Sequence, residues 1–371
     1  MANFRIPLFK VRVPDWDVLG PALKKVAYSG YLAEGEEVGR FEKELQAFLG
    51  TPNVFATNSC TSALQIALKL SDVGPGDTVV VPPMTCVATA APVANAGAKV
   101  LWCDVDPKTG LADPHSVSDL WAHAKAVMAV DWGGDVAPIP DLHAILKDTS
   151  TTLIEDAAQA FGTFVQGADY RCFSFQAIKL LTTADGGCLV TQTAEDAAKG
   201  KSLSWFGIDR RNFRLPTGEI NWDMDIPLIG FKGNLNNVAA AIGNVQMSLI
   251  GDTLERHREN AETYKNLLQD IFEVCVAPRP NGSAYWVFTV TCDERDELMK
   301  CLQEHGIQAS RMHAAIHNYT GFERHPATPE NLPGVEEFAS RVLALPVGWW
   351  LNEFDVGFVV ERIKDFYIRR R

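Results

Sequence analysis

Residues 151–187 read TTLIEDAAQAFGTFVQGADYRCFSFQAIKLLTTADGG. Apolar Leu153 and Ile154 run into the acidic pair Glu155–Asp156, so a buried strand delivers a carboxylate to its C-terminal tip. Small, helix-compatible residues follow at Ala157, Ala158 and Ala160. After a short polar loop, a second apolar run, Cys172–Phe175, leads to Lys179, Thr182, Thr183 and a Gly186–Gly187 turn. Ligands of open α/β sheets sit beyond the carboxyl ends of the strands. An Asp at one strand tip and a Lys just past another would face one crevice. That pair suits pyridoxal phosphate, which needs a lysine for its Schiff base and an anion beside its pyridine nitrogen to keep the ring an electron sink. The same spacing also fits a structural Asp at a strand end and a solvated Lys on a loop, and the residues alone leave both open.

Outward from this core, strands alternate with helices. Val54–Ala56, Thr78–Val81, Lys99–Cys103, Ala126–Val130, Leu153–Glu155, Cys172–Phe175 and Cys188–Val190 read as short apolar strands. Helical segments at Ala88–Ala96 and around Asp141–Ile145 separate some of them. Such alternation indicates βαβ units and a mainly parallel sheet. Glu36–Leu49 places Val38, Phe41, Leu45 and Phe48 at helical spacing before a Gly50 stop. The strand Val54–Ala56 turns into a helix whose start is crowded with Asn58, Ser59, Thr61 and Ser62. Exposed amides at a helix start make an anion site, and plain N-capping uses the same residues. No GxGxxG, GxSxG or GxxxxGK[ST] is present, so a dinucleotide fold has no support.

The chain has 371 residues, 47% of them hydrophobic and 22% charged, which allows two domains with separate cores. A net charge of −12 argues against broad nucleic-acid or anionic-membrane binding. The N-terminus has no apolar run of signal-peptide type, and the uncharged span between Asp77 and Lys99 is broken by Pro82, Pro83 and Pro92. Eight cysteines are scattered singly, with no His/Cys cluster at metal spacing; a cytoplasmic protein without a metal is the expectation.

Residues 204–237 (SWFGIDRRNFRLPTGEINWDMDIPLIGFKGNLNN) form a long loop whose Arg210, Arg211, Arg214 and Lys232 supply positive charge in an acidic chain. An anionic substrate would need such charge; solvated surface positions would carry it equally well. Helices follow over Asn237–Leu249 and on through Leu268. Composition then shifts to an α+β pattern: a strand at Ala284–Thr291, helices at Arg295–His305, near Val335–Leu345 and at Glu353–Tyr367. The expected division is a large domain over 1–250, an α/β sheet sandwiched by helices, and a small C-terminal α+β domain over 251–371.

Taken together, SGYLAEGEEVGRFEKEL, SCTSALQIAL, VGPGDTVVVPPMTCVATAAPV, GAKVLWCDVDP, IEDAAQAFG, FSFQAIKLLTTADGG, GFKGNLNNVAAAIGNVQM and ALPVGWW, in this order, resemble the nucleotide-sugar aminotransferases of the DegT/DnrJ/StrS group. These are pyridoxal 5'-phosphate enzymes of the aspartate-aminotransferase fold type (fold type I). The resemblance implies that Lys179 is the Schiff-base lysine, Asp156 the partner of the pyridine nitrogen and Gln159 the neighbour of the ring hydroxyl. Ser174 and the backbone around Thr61 and Ser62 would cradle the phosphate. It further implies transfer of an amino group from glutamate or glutamine to a nucleotide-linked ketosugar, with Lys179 shuttling the proton, in a homodimer whose sites lie at the subunit interface. Two positions depart from the pattern. Cys86 stands where an aromatic residue usually stacks on the ring, and Lys232 stands where an Asn reaches the neighbouring subunit's cofactor phosphate. His313 and His317 fall where the family often has substrate-side histidines, and loop or packing histidines fit equally; Arg210 is a further substrate candidate. The alternatives are the same chemistry on a keto-cyclitol, or a regulator that binds the cofactor without turnover.

Overall fold

The structure is a computed structural model that describes residues 4–322 and 324–370; the first three residues of the N-terminal stretch and Arg371 lie outside it. In chain order the elements are α1 (Trp16–Ser29), α2 (Glu36–Leu49), β1 (Val54–Thr57), α3 (Cys60–Leu70), β2 (Thr78–Val81), α4 (Val87–Asn95), β3 (Lys99–Trp102), α5 (Pro114–Leu120), β4 (Ala126–Val130), α6 (Ile139–Leu146), β5 (Thr152–Asp156), β6 (Tyr170–Ser174) and β7 (Gly187–Thr191). Then come α7 (Ala194–Leu203), α8 (Asn237–Gln246), α9 (Ile250–Leu268), β8 (Cys275–Val276), β9 (Phe288–Thr291), α10 (Arg295–Glu304), α11 (Pro333–Arg341), β10 (Val342–Leu345) and α12 (Glu353–Ile368).

The seven-stranded sheet runs β1-β7-β6-β5-β4-β2-β3. The strands from β6 through β3 pair in parallel, and β7 is antiparallel to both of its neighbours. A parallel sheet must be covered on both faces, because its strands are apolar throughout, and the strands divide their side chains accordingly. Val79 and Val81 of β2 pack with Leu64 and Ala67 of α3 and Ala90 and Val93 of α4. Val80, one residue out of phase, packs on the other face with Val117 of α5 and Leu142 of α6. All the strands of this sheet but β7 point their carboxyl ends to one edge, which is where the candidate site lies.

The three-stranded sheet β10-β9-β8 is antiparallel and packs with α9, α10 and α12 in a second core. Ile6, from the N-terminal stretch, is buried in that second core and bridges to Ile307. Conversely, Ile316, Leu332, Val335 and Phe338 return to the core of the large sheet, beside Trp102 and Trp132.

Two expectations need correction. The helix expected near Val335–Leu345 ends at Arg341, and Val342–Leu345 is strand β10. That run is apolar and fully buried, so periodicity does not separate helix from strand there. The strand expected to begin at Ala284 begins at Phe288. Residues 283–287 are drawn aside onto the Gly133–Gly134 turn, where Ala284 N–H donates to Gly134 O at 2.9 Å and Val287 N–H to Gly133 O at 3.1 Å.

Gly134 makes that docking possible. Its φ is +98°, and a Cβ there would lie 2.7 Å from the backbone N of Trp286. Gly39, inside α2, has open space where a methyl group would go, with nothing within 4 Å. Gly134→Ala is therefore expected to lose roughly 2 kcal/mol or more of stability, and Gly39→Ala to gain about 0.5–1 kcal/mol. Urea denaturation of the two variants measures both; equal effects would contradict the packing described here.

Candidate active site

Beyond the carboxyl edge of the large sheet lies a cavity of about 320 Å³. Each strand that ends there contributes. β1 leads into the start of α3, where Ser59 caps the helix by accepting from the Ser62 amide at 3.1 Å. The first-turn amides of such a helix have no intrahelical acceptor, and Cys60 and Thr61 line the cavity. A close backbone approach fixes that turn: a Cβ at Gly187 would sit 2.6 Å from the Cys60 nitrogen. β2 leads to Thr85 and Cys86, and β5 ends on Asp156, with Ala158 and Gln159 just beyond it. β6 ends on Ser174, whose hydroxyl accepts from the Gln176 amide at 3.3 Å, and the following loop brings in Lys179. Trp286 and His313 close the cavity from the C-terminal part of the chain.

Asp156 is 5% exposed. Its Oδ2 accepts from Thr89 Oγ1 at 2.7 Å and its Oδ1 from the Ala158 amide at 3.1 Å, with Cys60 Sγ 3.7 Å away. Burial pushes its carboxyl above the usual carboxylate range, against the pull of Thr89, the Ala158 amide and Lys179. Lys179 shows the mirror effect: burial lowers its amine to about 8, opposed chiefly by Asp156. Its Nζ lies 3.8 Å from the centroid of the Trp286 ring. Gln159 Oε1 accepts from the Gly133 amide at 2.6 Å, which leaves the NH2 end of its side chain as the donor. His313 is held neutral, its imidazole lowered to about 4 by burial and then by Lys179.

Of the residues singled out in the sequence, Lys179, Asp156, Gln159, Ser174, Thr61, Cys86 and His313 line one cavity. The others do not. The Ser62 hydroxyl is turned to Asn58 Oδ1 at 2.6 Å. Lys232 Nζ bonds Asn234 Oδ1, and its carbonyl accepts from Asn58 Nδ2 at 3.1 Å, beside the α3 start but outside the cavity lining. His317 meets Trp102 edge-on, with centroids 6.4 Å apart. Arg210 pairs with Glu34 at 3.2 Å and lies over Trp205. The sequence reading missed Thr89, Cys60 and Trp286. Thr89 carried a signal, since it lies in the first turn of α4, four residues after Thr85, and the two hydroxyls meet at 2.6 Å. Trp286 carried none, being placed by the distant Gly133–Gly134 turn.

Pyridoxal 5'-phosphate fits these residues. A buried acid held by a hydroxyl and an amide rather than by an ion pair suits a pyridinium nitrogen, the α3 start suits a phosphate, and the lysine stands in the same cavity. Among the described residues no group of His, Cys, Asp and Glu is arranged to hold a metal ion.

Comparison with known proteins agrees with this geometry. The model of the DegT/DnrJ/EryC1/StrS aminotransferase family matches residues 19–364. The chain is 30% identical to the spore coat polysaccharide biosynthesis protein SpsC of Bacillus subtilis (strain 168), covering 91% of each chain. It is also 30% identical to the dTDP-4-dehydro-2,3,6-trideoxy-D-glucose 4-aminotransferase of Saccharopolyspora spinosa, covering 92% of each. The crystal structure of AtS13 from Actinomadura melliaura superposes with a TM-score of 0.90 at 31% identity, over 98% of this chain and 99% of that one.

Only a neutral amine attacks the cofactor's aldehyde, and burial lowers the amine, so the neutral fraction of Lys179 arrives at lower pH than for a free lysine at about 10.4. Capture of pyridoxal phosphate by the cofactor-free protein is expected to accelerate with pH and level off above about 8. A rate still climbing at the ordinary lysine value would contradict it. Thr89→Val removes a hydrogen bond to a buried carboxylate and is expected to weaken cofactor binding by about 1.5–3 kcal/mol, read by equilibrium titration.

Proposed function

Because this chain belongs to the DegT/DnrJ/EryC1/StrS aminotransferase family, whose aminotransferases use pyridoxal 5'-phosphate, we propose that it transfers an amino group from glutamate or glutamine to the keto group of a nucleotide-linked keto-deoxysugar. The product would serve amino-sugar assembly in a surface polysaccharide or a secondary metabolite. The observation that carries this reading is the placement of the buried Asp156 and of Lys179 in one cavity. One relative is named for a dTDP-sugar and another for spore coat polysaccharide.

The cofactor supplies an electron sink that stabilises negative charge at the carbon losing its proton. Everything else falls to the chain. Asp156, held by Thr89 and the Ala158 amide, keeps a proton on the ring nitrogen. The α3 start, Thr61 and Ser174 hold the phosphate end. The Gln159 NH2 would donate to the ring oxygen, since its carbonyl end accepts from the Gly133 amide. Lys179, with its amine near neutrality in acid strength, binds the cofactor at rest. When free of the cofactor, its Nζ would serve as the base and acid that moves the substrate proton. The neutral His313 imidazole faces the same space and would orient a sugar hydroxyl.

A homodimer goes with this reading. Tyr28, Tyr31, Trp222 and Ile229 are 85%, 74%, 81% and 71% exposed, on and after α1 and on the loop that carries Arg210 and Lys232. A second copy covering them would bring those two cations toward a neighbouring site. No helix among the described residues is long and apolar enough to cross a membrane, which is compatible with the cytoplasmic placement we propose.

The test is the visible spectrum of the loaded protein on adding glutamate or glutamine, followed by nucleotide ketosugars and free keto-cyclitols. The expected result is conversion of the cofactor by an amino acid and reversal by a nucleotide ketosugar alone. Lys179→Ala is expected to slow the conversion at least about a thousandfold. Reversal by cyclitols only would replace the sugar with the cyclitol, and a spectrum unmoved by any amino acid would leave a regulator.

A further inference from the structure

Cys86 puts a thiol at a place where the resemblance implies a ring, and among the described residues lining the cavity Trp286 carries the one benzenoid ring. We infer that Trp286 is a positioning residue for Lys179: its indole face receives the amine, and its N–H ties the ring to the backbone of the lysine's own loop. This rests on the reading of Lys179 as the cofactor's lysine.

Four observations support it. Lys179 Nζ stands 3.8 Å from the ring centroid, well within the reach of about 6 Å for a cation over an aromatic face. Trp286 Nε1–H donates to the carbonyl of Ile178 at 2.8 Å, so ring and lysine backbone move together. Phe9, from the N-terminal stretch, stacks on the indole with centroids 4.7 Å apart and planes at 25°. Finally, the Gly133–Gly134 turn that docks residues 284–287 also holds Gln159 through the Gly133 amide. One turn thereby sets the positions of two residues of the site.

Trp286 also lines a second, narrow cleft, which it, Ile178 and Lys179 share with Phe9, Lys10 and Arg12. The groups facing the Lys179 amine are Asp156 at the end of β5, Cys60 at the start of α3, Cys86 before α4 and His313 in the segment after α10. Lys10, Arg12 and His257 line the cleft. Burial disfavours the charged amine, and Asp156, then Cys60 and Cys86, favour it. An indole face favours the charge, so it lifts the amine toward protonation where an aliphatic side chain of similar size would leave it lower.

The test uses the full-length, cofactor-free protein and trace acylation by acetic anhydride across pH. Labelling of the Lys179 peptide is measured by mass spectrometry against that of exposed Lys43 in the same digest. Trp286→Phe, which keeps an aromatic face, is expected to leave the midpoint near that of the parent. Trp286→Leu is expected to lower it by about one unit, a tenfold change in the neutral-to-charged ratio. A leucine variant with an unchanged or higher midpoint, or a phenylalanine variant that falls as far, overturns the inference. Circular dichroism checks that each variant is folded, and Trp286→Met replaces the leucine variant should that one unfold. Parent protein that reacts with pyridoxal phosphate at a lysine other than Lys179 would overturn the functional reading instead, whatever Trp286 does.

Discussion

At the carboxyl edge of the large sheet Asp156 is buried and Lys179 half-buried, and burial drives each toward its neutral form. Removing an ion from water costs several kcal/mol even after relaxation, so neither group belongs in such a place without something to meet its charge. The chain supplies partial compensation: the Thr89 hydroxyl and the Ala158 amide for the acid, and the Trp286 face for the amine. The remainder is left for a ligand that carries a cation toward Asp156 and a carbonyl toward Lys179. A perturbed acid and base sharing one cleft are a recognised sign of a functional site, and the constraint reaches outward from there into the fold.

The sheet topology answers that constraint. Parallel strands aim their carboxyl ends at one edge, which brings the ends of β1, β2, β5 and β6 to the same cavity. The antiparallel β7 closes the arrangement from the other direction, and at its first residue only a glycine lets the Phe173 carbonyl and the Cys60 amide approach. Trp286, though it comes from the C-terminal part of the chain, packs in the core of the large sheet with Phe173 and Phe175, and His313 joins it at the cavity. The N-terminal stretch spans both parts, burying Ile6 in the small core and stacking Phe9 on Trp286.

Much of this was legible in the sequence because the signals were local. Helix α2 begins and ends where its apolar spacing and Gly50 indicated, and the strand-tip carboxylate and the lysine fall in the same 37-residue stretch read first. Helix α5 went unexpected although Asp113 and Pro114 are a cap and first-turn pair that announce it. What was illegible depended on distant contacts. Val342–Leu345 became a strand because β9 offered it a partner. The 284–287 segment left its strand because the Gly133–Gly134 turn took its amides. Arg210, a candidate on the charge of its loop, pairs with Glu34, and the Ser62 hydroxyl turns to Asn58.

The most direct measurement is borohydride reduction of the protein loaded with pyridoxal phosphate, followed by digestion and mass spectrometry of the modified peptide. The account predicts a single stable adduct on Lys179, lost in Lys179→Ala and much weakened in Asp156→Ala. An adduct on any other lysine, or one that forms equally well without Asp156, would contradict it.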